Sequence, residues 1–221
     1  MLPRETGKNY ALRVLKENIV GLELPPGSQI SENELSAALG ISRTPIREAL
    51  SELEEIGLVE IVPQKKTAIS LIDYDLVEEA SFLRLTLEDA VIGQVCRERT
   101  EEDLLRFGQN IETQRLLFRS GDLGGLMKKD NEFHRAFFEI TRKLEIYQLM
   151  QKLQVHFDRV RSLSLTTHAD AAIIDEHAAI YESIRARDAE KTHARLRAHL
   201  VRYRIDADII QSACPQYFKQ K

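Results

Sequence analysis

The 221-residue chain is 43% apolar and 30% charged, with 31 Lys and Arg against 35 Asp and Glu and a net charge of −4. That balance fits one large or two modest globular domains and excludes a broadly basic nucleic-acid coat, while the absence of Trp argues against a stacking platform for single strands. No apolar run approaches the roughly 18 residues of a membrane span, Met1-Leu2-Pro3-Arg4-Glu5 lacks the apolar core of a signal peptide, and Cys96 and Cys214 form no CxxC pair, so the expected compartment is a reducing cytoplasm.

Leu12, Leu15, Ile19 and Leu22 recur at helical spacing and predict a helix over 10–22, ended by Gly21 and the turn Leu24-Pro25-Pro26-Gly27. Ser31-Glu32-Asn33-Glu34 reads as a capping box, with Ser31 accepting from the Glu34 N–H, at the head of a short helix over 31–39. Gly40 suits the left-handed position that ends it. Ser42 then caps a third helix over 43–56, with Pro45 in the first turn, where its missing N–H does no harm. Two short helices joined by a Gly-containing turn make a helix-turn-helix. Residues 58–62 and 67–70 are β-rich and flank Pro63-Gln64-Lys65-Lys66, which predicts a two-stranded wing with a basic tip. From about Asp75 the texture is helical, over 76–97, 101–119, 122–140, 144–165, 170–187 and 188–211. The expected fold is mostly α: a winged helix-turn-helix over 1–74 and an all-α antiparallel helical bundle over 75–221.

The third helix carries the chemistry of a DNA reader. An α-helix fits the major groove and its N-terminal side chains reach base edges. Arg43 can donate to O6 and N7 of one guanine together, and Ser42, Thr44 and the helix N-terminus can hold a phosphate. Lys65 and Lys66 can meet the backbone or minor groove. Arg47, one turn on, serves either a phosphate or an acidic side chain of its own domain. The charge count argues the other way: residues 1–74 hold 8 Lys and Arg against 11 Asp and Glu, so any DNA contact needs a local basic surface.

In order and without gaps, Gly21-x-x-Leu24-x-Pro26-Gly27, Ser31-Glu32-x-Glu34-Leu35, the run from Leu39 to Leu50, and Glu55-x-Gly57-Leu58-Val59 resemble the winged helix-turn-helix of the GntR family of bacterial transcription regulators. The resemblance implies a homodimer on a short inverted repeat of double-stranded DNA, with Arg43 reading a base. Asn33 stands where members often carry Arg, and Lys66 stands where the wing tip usually has Gly. Gly tolerates positive φ and close backbone approach where Lys does not, so base reading is expected to rest mainly on Arg43.

In the helical half, Asp130 and His134 lie one turn apart on one helix face, as a shared ion requires, and His177 and His199 fall on two later helices. A carboxylate and imidazoles on bundle helices could converge on one divalent ion, Zn, Ni, Mn or Fe rather than Ca or Mg. Spacing alone leaves the alternative of unrelated surface or hydrogen-bonded histidines open. Asp130-x-x-Phe133-His134, Glu176-His177-x-x-Ile180, Arg197-x-His199-Leu200 and Arg84-x-x-Leu87-Glu88-x-Ala90 resemble the FCD effector domain of the FadR subfamily. The resemblance implies a divalent metal ion, Zn favoured, on Asp130, His134, His177 and His199, with a small organic or sugar acid completing the coordination and long acyl effectors disfavoured. His156, His168 and His193 match no ligand position, and His193 is read as surface. Arg84, Arg159 and Arg161 are candidate partners for the acid, Arg84 favoured. The bland reading of Arg84 is an ion pair with Glu88. The function expected is an effector-controlled transcription regulator, with repression the expected sign. The alternatives are a sensor of the metal ion itself and, more remotely, a metalloenzyme, for which no general base or nucleophile is identifiable.

Overall fold

Thr6 starts the first helix by accepting the Asn9 N–H, and α1 runs Gly7–Val20. This computed structural model describes residues 2, 4–62, 66–167, 170–202 and 209–220. Ala11, Leu15 and Ile19 of α1 are buried against Ile46, Ala49, Leu50 and Leu53 of α3 (Arg43–Glu55), the i, i+4 and i, i+3, i+4, i+7 spacings of two amphipathic faces. Leu22, expected on the α1 face, lies beyond the helix end at φ 70°. Between them, α2 (Glu32–Leu39) is capped by Ser31, which accepts from Asn33 rather than from Glu34. The reciprocal capping box is therefore not formed. Gly40 takes φ 66°, and the turn into α3 is fixed by Ile41 N–H donating to Ser36 O and Ser36 Oγ donating to Ile41 O.

The wing is a three-stranded sheet in the order β1-β3-β2, with β1 Gln29–Ile30, β2 Val59–Val62 and β3 Lys66–Ile69. β2 pairs antiparallel with β3 from Val59↔Ile69 to Val62↔Lys66, and β1 pairs with the other edge of β3 at Gln29↔Ala68 and Ile30↔Thr67. The sequence reading foresaw β2 and β3 but not β1. Two residues carry no alternation, and their pairing is set by chain far away.

Asp73 caps α4 (Tyr74–Glu98) by accepting the Asp75 N–H, and α5 (Glu101–Ser120) opens on a complete Thr100/Asp103 capping box. α6 (Leu123–Ile140), α7 (Leu144–Thr167), α8 (Ala172–Arg185) and α9 (Ala189–Val201) follow. The helix expected over 188–211 is not one regular helix, since α9 ends at Val201, short of the bound read from periodicity. These helices enclose a core that includes Ile92, Val95, Phe107, Phe133, Phe137 and Ile180.

α7 is the element shared by both halves. Val155 completes the core of the winged helix. His156 Nε2 donates to Ile56 O at 2.8 Å, and Arg159 donates to Ser70 O at 2.5 Å and to Ser70 Oγ at 3.3 Å. Gly57, at φ 74°, passes so close that a Cβ there would stand 3.3 Å from the His156 ring. The C-terminal segment closes the junction: Ile72 N–H donates to Tyr217 O, Lys219 N–H donates to Ile72 O, and Phe218 packs on Tyr74.

Candidate metal centre and nucleic-acid interface

Asp130 and His134 project from one face of α6, His177 from α8 and His199 from α9. All four are buried, and one donor atom from each lies within 4.8 Å of all the others. His199 Nε2 stands 3.2 Å from His177 Nε2 and 3.2 Å from His134 Nε2, and Asp130 Oδ1 is 3.5 Å from His177 Nε2. Four donors about 2.0–2.1 Å from one ion would sit roughly 3.3–3.5 Å apart.

The tautomers follow from what holds the far side of each ring. Lys129 O is a backbone carbonyl and can only accept, so Asn110 must present its NH₂ to it at 3.0 Å. Asn110 Oδ1 then accepts from Gln114 Nε2 at 2.7 Å, which leaves Gln114 Oε1 facing His177 Nδ1 at 2.8 Å. His177 therefore carries its proton on Nδ1 and a lone pair on Nε2. His199 Nδ1 donates in the same way to Glu176 Oε2 at 2.9 Å. His134 Nδ1 faces Glu88 Oε2 at 2.6 Å, and Arg84 Nε donates to the other oxygen of Glu88 at 2.7 Å. Each imidazole is thus backed by an outer partner, the arrangement that orients histidine on a metal.

Burial, reinforced by the neighbouring His199, pushes His177 down to about 3, and burial with Arg84 pushes His134 well below its usual range. Both rings are neutral at physiological pH. Burial alone would raise Asp130, but Arg161, His177 and His134 outweigh it and hold the carboxyl below the usual carboxylate range. Burial raises Glu88 despite Arg84. Three inward lone pairs and a carboxylate repel one another unless a cation lies between them. Asp130 Oδ2 is held by Arg161, which leaves Oδ1 facing the histidines, 3.5 Å from His177 Nε2. The donor set, three nitrogens and one oxygen, fits a borderline divalent ion.

A cavity of about 80 Å³ opens against this cluster. Asp130 and His199 border it, as do Arg84, Arg161 and Arg202. Of the arginines read as candidate acid partners, Arg84 pairs with Glu88, as the bland reading had it, and also stands 3.8 Å from Asp130 at the cavity wall. Arg161 pairs with Asp158 at 3.0 Å as well as with Asp130. Arg159 is not at the cavity. It is fully buried against Ser70, and burial lowers it to about 10. His193 is half-buried rather than a surface residue, 2.7 Å from Asp89, which Arg197 also engages. His156 serves the domain junction, and His168 lies outside the described residues.

The sequence reading missed Gln114, Arg202 and the orienting roles of Glu88 and Glu176. Gln114 had a legible signal, a polar residue continuing the buried stripe Leu104, Phe107, Ile111. Arg202 pairs with Glu176 at 2.6 Å and with Asp170, contacts between segments that no local spacing displays.

On the winged helix, Ser42, Arg43 and Thr44 are exposed at the start of α3, and Ser42 makes no side-chain bond to the helix it heads. Arg47 forms a fork with Glu32, Nε to Oε1 at 3.0 Å and Nη2 to Oε2 at 2.8 Å, tying α3 to α2. Of its two expected roles, the intradomain pair is the one formed. Lys66 is exposed at the head of β3, and Lys65 lies outside the described residues.

Residues 11–69 match the bacterial regulatory proteins of the gntR family, and residues 79–202 match the FCD domain. The chain belongs to the GntR family, in its FCD-bearing branch. It is 28% identical to the HTH-type transcriptional repressor RspR of Escherichia coli K12 over 90% of this chain and 87% of that one. It is 30% identical, over 92% and 86%, to an uncharacterized HTH-type regulator in an unstable DNA locus of Streptomyces ambofaciens. In fold it is similar to E. coli McbR/YncC, with a TM-score of 0.80 at 18% identity over 95% of this chain and 99% of that one. This GntR-family chain is a transcription regulator and not an enzyme. Among its described residues, no helix is long and apolar enough to cross a membrane.

Proposed function

We propose that this regulator binds a short inverted repeat of double-stranded DNA as a homodimer, as a repressor. Its operator affinity is controlled by a small organic or sugar acid bound at a divalent metal ion, zinc favoured, on Asp130, His134, His177 and His199. The observation that carries this reading is the convergence of three Nε2 lone pairs, each fixed by an outer acceptor, on a buried carboxylate. The ion would supply positive charge and an open coordination position toward the cavity. Arg84 borders that cavity and would take the acid's second oxygen, since a guanidinium fork matches a carboxylate. Arg43 reads a base; Ser42, Thr44 and Lys66, with Lys65, meet the phosphate backbone; and Arg47 holds α3 to α2 through Glu32.

The two functions communicate through α7. Arg161 faces the cavity, and half a turn earlier Arg159 grips Ser70 of the winged helix. Half-site spacing must match the spacing of two recognition helices, so a small shift of α7 spoils the fit. A coupling of about 1–3 kcal/mol would change operator affinity roughly 5- to 150-fold.

Elemental analysis of wild type and His134→Ala, paired with operator titrations of each, tests the reading. We expect about one divalent ion per chain in wild type and almost none in the variant. Equal metal content in both would overturn the ligand assignment. Operator release on chelation alone, with no response to any acid, would favour a sensor of the metal itself.

A further inference from the structure

We infer that the effector is a short-chain monocarboxylate with an alkyl body, and not a polyhydroxylated sugar acid or a dicarboxylate. This rests on the metal-and-carboxylate reading above and narrows it. Asp130, His199, Arg84 and Arg161 border the cavity, so a ligand of the ion would enter it. Most of the exposed lining is apolar, from residues that include Leu126, Met127, Phe157, Leu165, Ile173 and Leu200, and Ser164, Asp170 and Arg202 add polar groups. A buried hydroxyl with no hydrogen-bond partner is costly, and most of the surface that this cavity would offer the hydroxyls of a sugar acid is apolar.

The charges argue against a second carboxylate. Arg202, which also lines the cavity, is already held by both Glu176 and Asp170. Arg161 is held by Asp158 and Asp130. Arg84 uses Nε on Glu88, lies over the Phe157 ring and stands 3.8 Å from Asp130, so among the described residues it is the arginine with donors to spare. One spare guanidinium beside one ion matches one carboxylate. Size sets a bound as well: about 80 Å³, at roughly 30 Å³ per water in the liquid, equals about three waters, which suits only a small acid.

The test is calorimetric titration of the metal-loaded full chain, its ion content fixed by elemental analysis, with acetate, propionate, butyrate, gluconate and succinate. Affinity should rise about fourfold per methylene from acetate to butyrate, with gluconate and succinate at least about 10-fold weaker than butyrate. In Ile173→Ser, at a partly exposed position in the first turn of α8, the butyrate-to-acetate ratio should narrow. Gluconate or succinate binding as tightly as butyrate overturns the inference and leaves the carboxylate site standing. If none of the five acids binds protein that holds its ion, the carboxylate reading itself falls.

Discussion

The candidate metal centre and the proposed DNA-reading face of this regulator are built on opposite plans. At the centre every imidazole is buried and oriented from behind, by Glu88, Gln114 or Glu176. At the start of α3, Ser42, Arg43 and Thr44 stand in solvent, and Ser42 makes no side-chain cap. The difference follows from the partner each awaits. An ion offers only charge and distance, so the protein must supply all the geometry in advance. A duplex brings its own groove and phosphates, so the reading side chains need only a rigid helix to stand on. The Arg47–Glu32 fork and the Ser36–Ile41 turn supply that rigidity.

If the centre is preorganised in this way, the largest single effect in the molecule should come from removing a ligand. Asp130→Ala should lower metal affinity beyond the roughly 10- to 100-fold that loss of an outer partner costs, as read by competition with a coloured chelator. Retained affinity would reduce the centre to a packed histidine cluster. Next comes the link between the two regions. Arg159→Ala deletes a fully buried side chain and leaves Ser70 O unsatisfied. It should cost about 2–4 kcal/mol in denaturant unfolding and weaken the response of operator binding to effector. Gln114→Ala leaves all four donors in place but frees the His177 ring, and should lower metal affinity about 10- to 100-fold. An unchanged affinity would mean that the outer partners do not hold the rings.

The reading face should behave differently. Arg43→Ala should cost about 1–3 kcal/mol at one base position and relax the preference there, in titrations against operators varied at that position. Lys66→Ala should lower affinity evenly across sequences and reduce the salt slope by about one. The smallest effect expected is a pH dependence of the junction. Burial pushes His156 down from 6.5, so the folded ring stays neutral while the unfolded ring takes up a proton near 6.5. Its contribution is present above pH 6.5 and is lost as the pH falls below it. Replacing His156 by Gln, which can still donate to Ile56 O, should flatten that decline in thermal unfolding.

What was legible in the sequence divides along the same line. Residues that act through their own helix were readable: the α3 start from Ser42 to Pro45, the one-turn spacing of Asp130 and His134, and the periodicity of α1 and α4–α8. Residues that act by meeting distant chain were not. β1 is only Gln29–Ile30 and exists because β3 offers an edge. Ser31 accepts from Asn33, a choice between neighbouring N–H groups that the sequence does not decide. Arg159 was read as a partner for an acid because its charge was visible and its burial against Ser70 was not. Glu88 was visible as an ion-pair partner for Arg84, but its second oxygen on His134 was not.

The central claim is that occupancy of the metal-side cavity changes how the exposed face reads DNA. Its most direct test is an operator titration with metal-loaded protein, with and without a saturating acid shown by calorimetry to bind. The account predicts an affinity change of roughly 5- to 150-fold, absent in His134→Ala at the same acid concentration. Identical operator affinity with and without the bound acid would contradict it.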